Sequence, residues 1–106
     1  MGGIQTPHND VIVVSATIAK YDVRRILVDS GSSTDILFYD AFSKMNIPVG
    51  HLRPVSTMLT GFTGDSIGIE GDIILPVTVN TSPRQATINL YFTIARTPSA
   101  YNAVLG

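Results

Sequence analysis

The chain contains no cysteine and no tryptophan among its 106 residues. Without cysteine, disulfides and thiolate metal sites are excluded, and the composition is compatible with a reducing compartment. The two histidines, His8 and His51, lie far apart in the sequence and lack the spacing of metal ligands. The sequence therefore predicts no metal site and contains no motif for a cofactor.

Charged side chains are also scarce, at 14% of the residues, and the formal net charge is only −1. A nucleic-acid-binding domain needs a cluster of basic residues, and the sequence has none, so we expect no nucleic-acid partner. The apolar fraction of 44% is high enough for one hydrophobic core. A chain of this length is expected to form a single domain.

No apolar run approaches the length of a transmembrane helix, and the N-terminus lacks the basic and apolar regions of a signal peptide. We therefore expect no membrane partner and an intracellular, cytoplasmic location. The first six residues fit the minimal myristoylation pattern, but we favour the interpretation that Met1-Gly2-Gly3 was added for expression. Residues 1–10 are polar and contain Pro7, which predicts a flexible arm before a domain of residues 11–106.

Alternation of apolar and polar residues with a period of two dominates the rest of the sequence. This pattern indicates half-buried strands, and three long examples predict an all-β fold, a small closed antiparallel barrel or sandwich. The apolar positions of the three runs are Ile12, Val14, Ala16 and Ile18; Ile67, Ile69, Ile73, Leu75, Val77 and Val79; and Ala86, Ile88, Leu90, Phe92 and Ile94.

The breaks between these runs predict turns and one short helix. Residues 19–22 and 80–84 are expected to close hairpins, and Gly68 and Gly71 predict a bulge inside a long strand. Apolar residues with helical spacing predict about two turns of helix, which Pro48 brings to an end. These residues are Phe38, Ala41, Phe42 and Met45.

The most informative motif is Asp29-Ser30-Gly31, which lies between the apolar runs Ile26-Leu27-Val28 and Ile36-Leu37-Phe38. A carboxylate between a buried strand and a tight glycine turn is costly to desolvate, and a function is one reason to tolerate that cost. Two further segments follow in order: Gly61-Phe62-Thr63-Gly64 between two extended runs, and Tyr101 to Gly106, in which two apolar residues precede a glycine.

Together these segments resemble the active-site loop, the flap and the hydrophobic-hydrophobic-glycine segment of retropepsins, the retroviral-type aspartic proteases. The residues of these segments most resemble those of the protease domain in the polyproteins of plant gypsy-type long-terminal-repeat retrotransposons. The resemblance implies an aspartic endopeptidase that processes a polyprotein, located in the cytoplasm or within virus-like particles. It also implies a homodimer, an extended peptide substrate and no cofactor, because water attacks directly between two Asp29 carboxylates.

The resemblance assigns roles to ten residues of this chain. Asp29 would be catalytic, Ser30 and Gly31 would support the active-site loop, and the others would contact substrate. The substrate-binding residues would be Ser32, Ser33, Asp35, Gly61, Phe62, Thr63 and Gly64. In retropepsins the last glycine is normally followed by a helix and a terminal strand that joins the dimer's sheet. The domain of residues 11–106 lacks both, which bears on its activity and on its affinity for a second copy.

Several roles have an alternative at this point. Ser30 could hydrogen-bond across a twofold axis or face solvent in a turn, and Asp35 could bind substrate amides or anchor a loop. Phe62 could close over substrate or pack within a hairpin. For the whole chain, the alternatives to a protease are a non-catalytic retropepsin-like module for dimerisation or peptide binding, and a structural β domain that shares the turn motif.

Overall fold

The computed structural model describes residues 11–29, 31, 33–54, 59–60, 66–81 and 83–106. The arm predicted for residues 1–10 lies outside these ranges. The described residues form seven strands, a short helix α1 and a 3₁₀ turn. Their bounds are β1 Val11–Ile18, β2 Tyr21–Asp29, β3 Asp35–Phe38, α1 Tyr39–Ser43, the 3₁₀ turn Val49–His51, β4 Leu59–Thr60, β5 Ser66–Thr81, β6 Arg84–Arg96 and β7 Ala103–Leu105.

Six of the strands close into a barrel in the order β1-β2-β7-β3-β6-β5, and β5 returns to pair with β1. Only two residue pairs make this closing contact, Thr17 with Thr78 and Ile18 with Val77. The seventh strand, β4, pairs with the first residues of β5. The predicted all-β barrel with one short helix is therefore confirmed.

Two of the strand pairings are parallel, although the alternating pattern alone had predicted an antiparallel barrel. The strand β7 lies parallel to β2, and β3 lies parallel to β6. The remaining pairings are antiparallel. Parallel neighbours need a long connection between them, so their partners are remote in the sequence.

The two hairpin turns and the bulge that the sequence predicts are confirmed. Ala19 and Lys20 form the turn between β1 and β2, and both have positive φ angles, of 50° and 74°. The hairpin between β5 and β6 closes at Thr81 and Arg84. The register of this hairpin shifts between Ile69 and Gly71, which is the bulge that the two glycines predicted.

The helix is shorter than the spacing predicted. Phe38 is the last residue of β3, and α1 ends at Ser43. Met45 is nevertheless buried, because the turn after the helix, in which the Met45 N–H donates to the carbonyl of Phe42, returns it to the core. No helix in the described ranges is long and apolar enough to cross a membrane.

The core fills the barrel with large side chains from several strands and α1. The largest fully buried ones are Phe42, Phe92, Ile18, Ile26, Leu37, Ile94 and Val77. The far end of the β5–β6 hairpin extends beyond this core, since Val79 and Ile88 remain 41% and 57% exposed. Their alternation had predicted a buried face, but the described residues provide nothing to cover that end.

Asp72 is a buried acidic residue that lies outside the apolar core. Asp72 in β5 is 6% exposed, and its Oδ2 accepts a hydrogen bond from the hydroxyl of Tyr91 on β6. This hydrogen bond raises the pKa of Tyr91, and desolvation and the charge of Asp72 act in the same direction. The other carboxylate oxygen of Asp72 has no hydrogen-bond partner among the described residues.

The close approach of Leu52 and Arg53 to Gly71 in the bulge can be tested by substitution. Gly71 has φ +153°, and a Cβ there would lie 2.7 Å from the carbonyl oxygen of Arg53 and 2.9 Å from Cβ of Leu52. We expect Gly71→Ala to lower the free energy of unfolding by about 2 kcal/mol through overpacking and backbone strain. Urea denaturation monitored by circular dichroism measures the effect.

Gly68→Ala is the matched control, because no described atom lies within 4 Å of a Cβ at that position. Equal stability of the two variants would contradict the close approach at Gly71.

Candidate active site

Asp29 is the last residue of β2 and is half-buried. Its Oδ1 accepts a hydrogen bond of 2.9 Å from the backbone N–H of Gly31, two residues further along. This local bond is typical of Asp at the start of a tight turn, and it helps to offset the cost of desolvating the carboxylate. The second oxygen accepts no hydrogen bond from a described residue, so it can still act as a base or acceptor.

The strand β7 lies between β2 and β3, which enter and leave the Asp29 loop. Ile26, Leu27 and Val28 of β2 pair in parallel with the three residues of β7. On its other side, β7 pairs antiparallel with Ile36 and Leu37 of β3. The fold thus brings together the first and third of the sequence motifs, which are separated by about seventy residues of chain.

Asp35 connects the same two motifs through its side chain. Its Oδ1 accepts a hydrogen bond of 2.8 Å from the backbone N–H of Gly106. Because Asp35 begins β3 and Gly106 follows β7, this bond joins the exit of the loop to the end of the glycine segment. Of the two roles considered for Asp35, this contact supports the anchoring of a loop.

The other predicted site residues are described only in part. Ser33 is exposed beside the loop, and Gly31 forms part of the turn. Ser30, Ser32 and the four residues Gly61, Phe62, Thr63 and Gly64 lie outside the described ranges. The backbones of β4 and β5 that flank this last segment pair as antiparallel strands, at Leu59 with Ile67 and Thr60 with Ser66.

Asn102 is a positioning residue that the sequence reasoning missed. Arg24 and Arg25 form a bulge in β2, since both oppose Ser15 alone, and Arg25 has φ +58°. The side-chain amide of Asn102 donates to the carbonyl oxygen of Arg24, and its backbone N–H donates to that of Arg25 at 2.9 Å. Asn102, in the segment before β7, thus bonds to the carbonyl oxygens of both bulge residues.

Asn102 also reaches the third strand of this cluster, because its carbonyl oxygen accepts the backbone N–H of Phe38 at 3.0 Å. One residue thus connects β2, β3 and the start of β7. Bulges next to active sites redirect the chain, and here the redirected strand ends at Asp29. The signal that could have identified Asn102 is its place in the third motif, two residues before the apolar pair Val104-Leu105.

Comparison with known proteins supports this architecture at the level of the fold. A scan against protein-family models and a search of the curated proteins found no match. Among solved structures, the crystal structure of a retropepsin-like aspartic protease from Rickettsia conorii superposes with a TM-score of 0.62. The two chains are 18% identical over 91% of this chain and 67% of that chain. The chain therefore has a retropepsin-like fold.

The role of Asn102 can be tested by stability. Asn102→Ala removes the side-chain bond to Arg24 and leaves a bulge carbonyl without its partner. We expect the free energy of unfolding to fall by about 1 kcal/mol. Urea denaturation provides the measurement, and Asn89→Ala, at an exposed position of β6, provides the control. If both variants lose the same amount, Asn102 does not support the bulge.

Proposed function

We propose that this chain is the protease domain of an aspartic endopeptidase, with Asp29 as its catalytic residue. The observation that carries the proposal is the position of Asp29 at the end of β2 within a retropepsin-like fold. The pairing of β2 and β3 with β7 supports it, because that pairing holds the Asp29 loop on rigid strands. Catalytic groups need such support to keep their geometry.

The chemistry requires a second carboxylate, and a second copy of the chain would supply it. Two Asp29 side chains facing each other across a twofold axis cannot easily both ionise, so they share one proton. The charged member then acts as general base on a water molecule between them, and the protonated member donates to the scissile carbonyl oxygen. Water is the nucleophile, so the reaction needs neither an acyl-enzyme nor a metal ion.

Exposed apolar side chains near Asp29 support association of two copies. The first half of β1 pairs only with β2 among the described residues, opposite the stretch that ends at Asp29. On this edge Ile12 and Val13 are 55% and 54% exposed. An apolar edge strand exposed to water favours association. Ile12 and Val13 lie only one and two residue pairs along the β1–β2 ladder from the pair that contains Asp29.

The substrate in this proposal is an extended polypeptide within a polyprotein. It would bind as an added strand, with alternate side chains in pockets. Gly61, Phe62, Thr63 and Gly64 would close over it, and Ser32 and Ser33 would line the floor beside Asp29. Ser30 would hydrogen-bond across the twofold axis. The proposal that the polyprotein is of the retrotransposon type depends on the residues of the motifs around Asp29 and before Gly106.

Replacement of the proposed catalytic group provides the direct test. We expect Asp29→Asn to lower the rate of peptide cleavage at mildly acidic pH by at least about 100-fold, because an amide cannot take a proton from water. Cleavage of an unstructured protein, followed by mass spectrometry, measures the rate, and a pepstatin-type inhibitor should block the parent protein.

Asp22→Asn is the matched control, since it makes the same chemical change at the other, exposed end of β2. Cleavage that persists in Asp29→Asn would exclude the proposed mechanism. A stable dimer without any cleavage would favour the non-catalytic module instead.

The proposed dimer gives a second prediction. We expect Val13→Glu to weaken self-association by about tenfold or more, because it would place a charge in an apolar contact. Sedimentation over a range of protein concentrations measures the dissociation constant. Ile88→Glu, at a similarly exposed apolar position on β6, should leave it unchanged. An equal effect of both variants would argue against β1 as the contact.

A further inference from the structure

A cavity of about 450 Å³ opens on the side of the barrel, away from the Asp29 loop. It lies between the β1–β2 turn, the segment that follows α1, and the middle of β5. Its lining includes Ala19, Ile47, His51, Arg53 and Ile74. Nothing in the proposed protease mechanism uses any of these residues.

The wall of this cavity contains an unpaired stretch of strand edge. The backbone of Asp72 exchanges both hydrogen bonds with Arg53, at 2.8 and 2.9 Å, and the carbonyl oxygen of Pro76 accepts the N–H of Ala19 at 2.9 Å. Alternate residues of a strand direct their backbone groups to the same edge. The N–H and C=O of Ile74 therefore point to this edge as well, and no described residue pairs with them there.

The open edge is short and is blocked at both ends. Arg53 occupies the position opposite Asp72, and the β1–β2 turn occupies the position opposite Pro76. Four residue steps of strand separate these positions, which is about 13 Å. We call this stretch of open edge, between the positions opposite Asp72 and Pro76, the slot. It is long enough for about three residues. A strand that runs straight through would collide with its ends, so a bound peptide has to end at one side of the slot and leave the sheet edge at the other.

The side chains at the Arg53 end of the slot indicate which end of a peptide would bind there. Neither His51 nor Arg53 forms an ion pair or a side-chain hydrogen bond with a described residue. Asp72, the residue opposite Arg53, accepts the hydroxyl of Tyr91 at Oδ2, and its Oδ1 has no hydrogen-bond partner among the described residues. Arginine binds carboxylates through paired, charge-assisted hydrogen bonds, and a carboxylate is the complementary group for this end of the slot.

We infer that this cavity binds the C-terminal end of an extended apolar peptide. The peptide lies antiparallel to β5, so that its penultimate residue exchanges two backbone hydrogen bonds with Ile74. Its α-carboxylate then faces Arg53 and His51. Its apolar side chains pack against Ile47 and the exposed side chain of Ile74. Addition of a strand to an open edge and capture of a terminal carboxylate are both known modes of peptide recognition.

The test is a titration of ¹⁵N-labelled protein with acetyl-Leu-Val-Leu that carries a free carboxylate, followed by NMR. We expect saturable shifts of the backbone amides of Ile74, Arg53 and Ala19. The carboxamide form of the same peptide should bind about tenfold more weakly or worse, because it lacks the charge that Arg53 recognises.

Two pairs of variants separate the contacts. Arg53→Gln should weaken binding of the free acid about tenfold and leave binding of the carboxamide unchanged, whereas Arg84→Gln, at an exposed position of β6, should affect neither peptide. Ile74→Pro removes both the N–H that faces the slot and the apolar side chain, so it should weaken binding of both peptides; Pro76 already lies on the same edge. Ile74→Val retains this N–H and should bind normally.

Absence of any shift at Ile74 at millimolar peptide would overturn the inference, and so would equal affinity for the acid and the carboxamide. If Ile74→Pro fails to fold, the comparison of the two peptides on the parent protein still decides. The inference goes beyond the proposed function and does not need Asp29. Binding should therefore persist in Asp29→Asn, and its failure would be distinct from a failure of cleavage.

Discussion

The insertion of β7 between β2 and β3 is the constraint on which the rest of the structure depends. This three-residue strand pairs with both strands that frame the Asp29 loop. Its position is fixed at one end by Asn102, which satisfies the β2 bulge, and at the other by the bond from Gly106 to Asp35. The strands on either side of the loop are therefore held by backbone pairing and by two specific side-chain contacts.

This arrangement explains why polar residues can lie next to a tightly packed core. Ile26, Leu37 and Ala103, one from each strand of this three-stranded cluster, are fully buried. They tie the cluster to the barrel interior, while the chain ends of the same strands emerge at its surface with Asp29 and Asp35 half-buried. A carboxylate at this boundary keeps access to water and at the same time gains support from paired strands.

The sequence predicted those features that depend on neighbouring residues. The turn at Ala19, the hairpin end at Thr81 and the bulge at Gly71 follow from local turn chemistry and strand alternation, and all three are found. The parallel pairing of β2 with β7 could not be predicted from alternation, because alternation identifies a buried face and says nothing about the partner. Asn102 was missed for the same reason, since its role exists only when three remote segments meet.

The closure of the barrel also accounts for its open edge. The strand β1 does not continue along β5 beyond Val77, because it ends at Ile18, where the chain turns through Ala19 and Lys20 into β2. The segment around Arg53 covers β5 again only at Asp72. Between these two contacts no described residue pairs with the backbone of Ile74 at this edge. The proline at position 76 lies where the paired edge ends, a place at which a missing N–H is tolerated. The turn that joins β1 to β2 and the segment around Arg53 thus bound this stretch of β5, so the unpaired edge at Ile74 follows from how the barrel closes.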